Sequence, residues 1–238
     1  MINIKKCVCF VCIFAFIFAF CNNIDSKQKI RLVNTVSQYQ KPTVVLDAGH
    51  GGFDGGAVKG ETLEKDINLQ FALSLEYFLK AFGFSVVMTR TTDNGTQDYG
   101  LNTIREKKVS DIKNRLNLIE NTEIECFISL HQNIFQIEKY SGTQVFFGQT
   151  NAQSKIYAEN IQSFIKQKLQ PGNTRSVKGC ERNIYLMYHT TKPAVLVECG
   201  FMSNYNELKQ LLDEDYQNKL NFCVLNGILM GRKSIFNG

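Results

Sequence analysis

Two apolar patterns alternate along the chain between residues 41 and 232. Short unbroken apolar runs predict strands at 43–47 (TVVLD), 84–90, 125–130, 143–147 and 194–198. Between them, apolar residues fall at every third or fourth position and predict helices at 64–83, 110–121, 151–169, 203–212 and 216–229. In the first helix Ile67, Phe71, Leu75, Phe78, Leu79 and Phe82 share one face, and Gly83 stops it. The second is placed with Ser110 as its cap and Ile112, Leu116 and Ile119 on its inner face. Asn204 and Glu207 have the spacing of a capping pair. Strands separated by helices predict a single α/β domain. Its sheet is twisted and mostly parallel, with helices on both faces, and the runs at 84–90 and 143–147 are the candidates for mixed order. The polar stretch 91–109 is long for a connection, and loops of that length tend to serve function.

The N-terminus has a different pattern. Lys5 and Lys6 precede a solid apolar run from Cys7 to Phe20, the length of a signal-peptide core and short of the roughly 20 residues of a membrane-spanning helix. Cys21 follows directly, as in a lipoprotein, but Phe20 stands where cleavage wants a small residue, and retention as an anchor fits equally. We read 1–25 as a signal peptide or membrane anchor, 26–40 as a polar linker and 41–238 as the catalytic domain. The body of the protein is expected outside the cytoplasmic membrane.

Composition adds bounds. The chain has 238 residues, enough for one sizeable core, with 44% hydrophobic and 21% charged residues. The net charge of +5 is scattered rather than striped, which argues against nucleic acid and is compatible with an acidic polymer such as a cell wall. Of eight cysteines, four lie in the N-terminal apolar segment. Cys126, Cys180, Cys199 and Cys223 lack metal-motif spacing, and sequence assigns them no disulfide.

Candidate chemistry gathers at predicted strand ends, where open parallel sheets place their sites. His50 follows the first strand inside a loop with five glycines between Gly49 and Gly56. His131 follows the strand 125–130, and Glu198 ends the strand 194–198. Glu64 opens the helix after the glycine loop. Two imidazoles and a carboxylate form the protein ligand set of a catalytic zinc site, and a second carboxylate off the metal then serves as general base. Glu64 and Glu198 compete for these two jobs; the short glycine-loop connection to His50 favours Glu64 as ligand. His189, before Pro193, reads as a surface residue.

At these residues the chain resembles the zinc-dependent N-acetylmuramoyl-L-alanine amidases. The matching pieces are LDAGHGGFDGGA, EKDINL, VVMTR, FISLHQN, SGTQVFF, IYLM, KPAVLVECGFMSN and YQNKL…NGI, in family order over about 41–232. The resemblance implies one zinc ion held by His50, Glu64 and His131, with Glu198 as the catalytic carboxylate. The substrate implied is a peptidoglycan glycan strand bearing a stem peptide, cut between N-acetylmuramic acid and L-alanine. Asn133 and Arg115 are the candidate substrate contacts. Chain length, the single N-terminal apolar segment, NGTQDYG and IYLMYHTTKPAVLVE further resemble a sporulation branch. That branch implies a role in forming cortex muramic-δ-lactam for germination, in the space between forespore membranes, with an accessory activating protein as a candidate partner. Ala48 stands where the family has Pro and Glu120 where it has Asn; Gln132 and Ile134 around Asn133 also depart from the pattern. The segment from His131 to Ser141 leaves no room for the inhibitory helix of some members. A zinc peptidase acting on stem peptides and an inactive wall-binding scaffold are the competing readings.

Overall fold

The computed structural model describes residues 41–236; the signal or anchor segment and the linker lie outside them. In chain order the elements are β1 (Thr43–Ala48), β2 (Val58–Lys59), β3 (Thr62–Leu63), α1 (Glu64–Ala81), β4 (Ser85–Met88), α2 (Ile104–Asn121), β5 (Cys126–Asn133), β6 (Gln144–Phe147), α3 (Ala152–Lys168), β7 (Lys178–Gly179), α4 (Tyr185–His189), β8 (Ala194–Phe201), α5 (Tyr205–Leu211) and α6 (Glu214–Phe236). Six strands form one sheet in the order β4-β1-β5-β8-β6-β7. β4, β1, β5 and β8 run parallel, and β6 runs antiparallel to β8. The mixed order thus comes from 143–147 and not from 84–90. Among the described residues no helix is long and apolar enough to cross a membrane.

Strand alternation divides the core in two. Val44, Leu46, Cys126, Ile128, Leu130, Val195, Val197 and Cys199 face α1, α3 and α6, where Phe71, Leu75, Ile161 and Val224 are buried. Val45, Phe127, Ala194 and Leu196 face the other way, onto Ile119, Leu186 and Met187 of α2 and α4. The four cysteines are free thiols, all buried. Burial raises each of them, Cys180 to about 12.

One helix boundary corrects the sequence reading. α2 begins at Ile104, not at Ser110. Thr103 accepts from the Glu106 amide while the Glu106 carboxylate accepts from the Thr103 amide, a capping box that satisfies two end groups at once. Ser110 instead caps nothing: its hydroxyl accepts from the Asp98 amide and donates to the Asp98 carboxylate. Asn204 does cap α5, accepting from the amides of Asn206 and Glu207.

Candidate active site

The site starts where β1 ends. His50 adopts a φ of 62°, a left-handed conformation uncommon outside glycine and costing roughly 1–3 kcal/mol. The surroundings hold it there. Gly51 and Asp54 exchange backbone hydrogen bonds, and Arg115 Nη2 donates to the His50 carbonyl at 2.7 Å. Arg90 donates to the carbonyls of Ala48, Gly49 and Lys65. The polar stretch after β4 braces the loop from outside: Asp93 accepts from the Gly52 amide and from Lys65 Nζ.

The first turn of α1 docks on the same loop. The Glu64 and Lys65 amides, unsatisfied within the helix, donate to the carbonyls of Ala57 and Gly55. Glu64 is thereby fixed at the helix N-terminus, where the helix dipole favours a carboxylate. Its Oε2 lies 3.2 Å from His50 Nε2 and its Oε1 lies 2.9 Å from His131 Nδ1. One ligand atom from each of His50, Glu64 and His131 falls within 4.8 Å of the others, a geometry able to hold a metal ion. Two glycines make room for it. A Cβ on Gly49 would stand 2.2 Å from His131 Nε2, and one on Gly56 would stand 2.6 Å from both Glu64 Oε2 and His50 Cδ2.

A second layer orients these ligands. His50 Nδ1 sits 2.9 Å from Asp54 Oδ2, and Lys108 pairs with the other Asp54 oxygen at 3.1 Å. Burial alone would lower the His50 pKa, but hydrogen bonds from Asp54 and Glu64 outweigh it and raise it to about 9. Burial would raise Glu64, yet the two imidazoles hold it well below the carboxylate range. Glu64 also accepts from the amides of Ala57 and Gln132 and from Asn68. Carboxylates that orient a ligating histidine are commonly worth 10–100-fold in metal affinity. Asp54→Ala is therefore expected to weaken metal binding by about that factor with the melting curve little changed; unchanged affinity in a chelator competition titration would refute the role.

Glu198 pairs in register with His131 across β5 and β8. By alternation Asp47, Ser129, His131 and Glu198 share the α2 face, while Cys199 packs on the opposite one. The Glu198 residue is partly exposed, but its Oε2 is buried with no hydrogen-bond partner. Burial pushes its carboxyl up to about 7, helped by the charge of Glu64 and opposed by the two histidines. A cleft of about 170 Å³ opens beside His50 and His131, with Phe53, Ile112 and Leu186 on its walls.

Arg115 is 3% exposed. All its guanidinium nitrogens are engaged, by Asp47, Asp111 and the carbonyls of Ala48 and His50. It lines the cleft, with each of these nitrogens already partnered within the protein. Burial would raise Asp47, but Arg115, Ser129 and Thr89 together hold it at about 2. Asn133 ends β5 half-buried, and its carbonyl accepts from Met202. His189 is exposed on α4 and stacks with Tyr185, away from the cluster. Glu120 accepts from the Thr190 hydroxyl and from the amide and hydroxyl of Thr191, tying α2 to the approach to β8. Asp54 and Asp47 escaped the sequence reading as functional candidates. Their only signal was position, one four residues after His50 and the other ending an apolar strand.

Comparison with known proteins places the chain in a family. Residues 44–230 match the family model of N-acetylmuramoyl-L-alanine amidase, Amidase_3. The germination-specific N-acetylmuramoyl-L-alanine amidase of Bacillus subtilis is 38% identical over 186 residues, covering 78% of each chain. The CwlD amidase from Clostridioides difficile, solved in complex with the GerS lipoprotein, superimposes with a TM-score of 0.79 at 38% identity, over 82% of this chain and all of that one. The catalytic domain of CwlV from Bacillus (Paenibacillus) polymyxa gives 0.64 at 31% identity, over 79% and 97%. The chain therefore belongs to the Amidase_3 family of N-acetylmuramoyl-L-alanine amidases and is a cell-wall hydrolase of that class.

Proposed function

We propose that His50, Glu64 and His131 hold one zinc ion, and that the enzyme removes stem peptides from cortex peptidoglycan as the step leading to muramic-δ-lactam. One observation carries the catalytic reading. A buried carboxylate oxygen without a partner, Glu198 Oε2, stands beside a three-ligand cluster on the same sheet face. Two imidazoles and a carboxylate suit zinc and leave a coordination position open. When bound, the ion would polarise the scissile carbonyl and acidify a water molecule. Glu198 takes a proton at Oε2 and returns it to the leaving amine nitrogen of L-alanine. Asp54 keeps His50 Nε2 turned toward the ligand cluster. Arg115 acts through the His50 carbonyl, as a positioning residue rather than a substrate contact. Asn133 is assigned to substrate binding at the end of β5.

The sporulation role is supported by the germination-specific relative, and an accessory lipoprotein partner by the complex in which CwlD was solved. The enzyme then works outside the cytoplasmic membrane, in the space between the forespore membranes, with residues 1–25 directing it there. Chemistry links activity to biology: the lactyl carboxyl must be freed of its peptide before a lactam can close on it. Spores of a deletion strain should lack muramic-δ-lactam and germinate poorly, and the wild-type gene should restore both. Mass spectrometry of cortex muropeptides reads this directly. Normal lactam content in the deletion strain would remove the sporulation role. Products cut between amino acids, with muramic acid still substituted, would make the enzyme a peptidase.

A further inference from the structure

One cation, held to the strand next to Glu198, takes no part in the machinery described so far. Gln144 is the register partner of Glu198 across β6 and β8. Directly opposed residues point to the same sheet face with Cβ atoms about 4.5–5.5 Å apart. The next pair along, Phe146 and Leu196, packs in the α2-side core and fixes which face that is. The Gln144 amide is held at both ends: its Nε2 donates to the Ser176 carbonyl, and its Oε1 accepts from Arg175 Nη1 at 2.9 Å. Arg175 is itself clamped. Its Nε donates to the Ser141 carbonyl at 2.9 Å, and its guanidinium carbon lies 4.4 Å from the centre of the Phe201 ring.

Arg175 differs from the other cations around the site. Lys65 pairs with Asp93, Lys108 with Asp54, and Arg115 with Asp47 and Asp111, while Arg90 spends all three of its side-chain nitrogens on backbone carbonyls. Arg175 forms no ion pair with any described residue, and its Nη2 carries no hydrogen bond. Glu207 is close enough to feel its charge but spends its oxygens on the amides of Gly142 and Phe201. A guanidinium so immobilised, with one edge open, is pre-organised for a carboxylate.

We propose that Arg175 binds a free carboxylate on the second residue of the stem peptide and so makes the enzyme selective for acidic over amidated stems. This rests on the amidase reading. One strand spacing of about 4.8 Å plus a hydrogen-bonded side chain puts the guanidinium roughly 10 Å from the Glu198 carboxyl. An extended peptide advances about 3.3–3.6 Å per residue. A carboxylate two residues beyond the scissile amide therefore comes within ion-pair reach.

The test uses the zinc-loaded full chain in detergent and two muropeptides. One is N-acetylglucosaminyl-N-acetylmuramoyl-L-alanyl-γ-D-glutamyl-L-lysine; the other carries the glutamate α-carboxylate as a carboxamide. A charge-assisted hydrogen bond predicts that wild type prefers the acid by about 10–100-fold in kcat/KM. Arg175→Gln should bring the ratio close to one, mainly by raising KM for the acid, and Arg175→Lys should recover part of it. If Arg175 merely braces the loop 134–142, Arg175→Gln slows both substrates equally and the ratio stays, which overturns the proposal. A wild-type ratio near one overturns it too. Failure of zinc-loaded wild type to cleave either would instead sink the amidase reading and this inference with it.

Discussion

Glu198→Gln should retain metal and fold while losing activity by a factor on the order of 10²–10⁴, the usual contribution of a positioned general acid–base group. The substitution is nearly isosteric and sits on β8, paired in register with His131 on one side and Gln144 on the other. Glu198 makes no hydrogen bond through Oε2, so the strand loses little when that oxygen becomes an amide. What disappears is the ability to take up a proton beside the ligand cluster. Glu64→Gln is the informative contrast, because Glu64 oxygens lie within 3.2 Å of both imidazoles and metal should be lost together with rate. The measurements are zinc content by elemental analysis and turnover of a soluble muropeptide. Turnover of Glu198→Gln within threefold or so of wild type would remove Glu198 from the proton path.

Arg115→Met should destabilise the protein by about 3–5 kcal/mol, because it strands a buried carboxylate. Asp47 is 1% exposed and keeps only the Ser129 and Thr89 hydroxyls when the guanidinium is gone. The carbonyls of Ala48 and His50 lose a donor in the same step. For a domain of this size that loss corresponds to roughly 6–20 °C in melting temperature. Adding Asp47→Asn should recover much of it, since no unpaired charge then stays buried. A single variant that melts within a degree or two of wild type would show that water or a neighbour replaces the guanidinium at no cost.

The sequence was legible where burial imposes a period. β1, β5 and β8 are solid apolar runs because both sheet faces are covered, but it takes the register of β5 against β8 to put His131 and Glu198 on one face. α1 and α3 declared themselves through their inner stripes. The first turns of α2 did not: Ile104 and Val109 are 68% and 45% exposed, so no apolar period marks residues 104–109. Its capping box, Thr103 with Glu106, was the overlooked signal. β2, β3 and β7 have two residues each and α4 has five, too short for any periodicity. The four candidate groups could be gathered from strand ends and one helix start, while spacing only leaned toward Glu64 as ligand and the resemblance assigned Glu198 its role. The docking of the first turn of α1 onto the glycine loop is a contact between backbone groups that side-chain pattern does not encode. The anchoring of Arg115 was hidden for a related reason. Its buried partner Asp47 lies 68 positions away, a separation that no local pattern reveals.

The buried thiols have a practical consequence. Only the thiolate reacts with alkylating reagents, and each of these cysteines is shielded and kept protonated near neutral pH. Modification must therefore wait for the structure to open. Cys126 and Cys199 lie on the sheet beneath α1, α3 and α6, and Cys223 is on the buried face of α6 itself, whereas Cys180 packs with α4 on the other side of the sheet. Peptide-resolved alkylation rates would then act as two clocks, one for each layer of helices. They would time how often the layer beside the catalytic cleft parts from the sheet while the opposite layer stays closed.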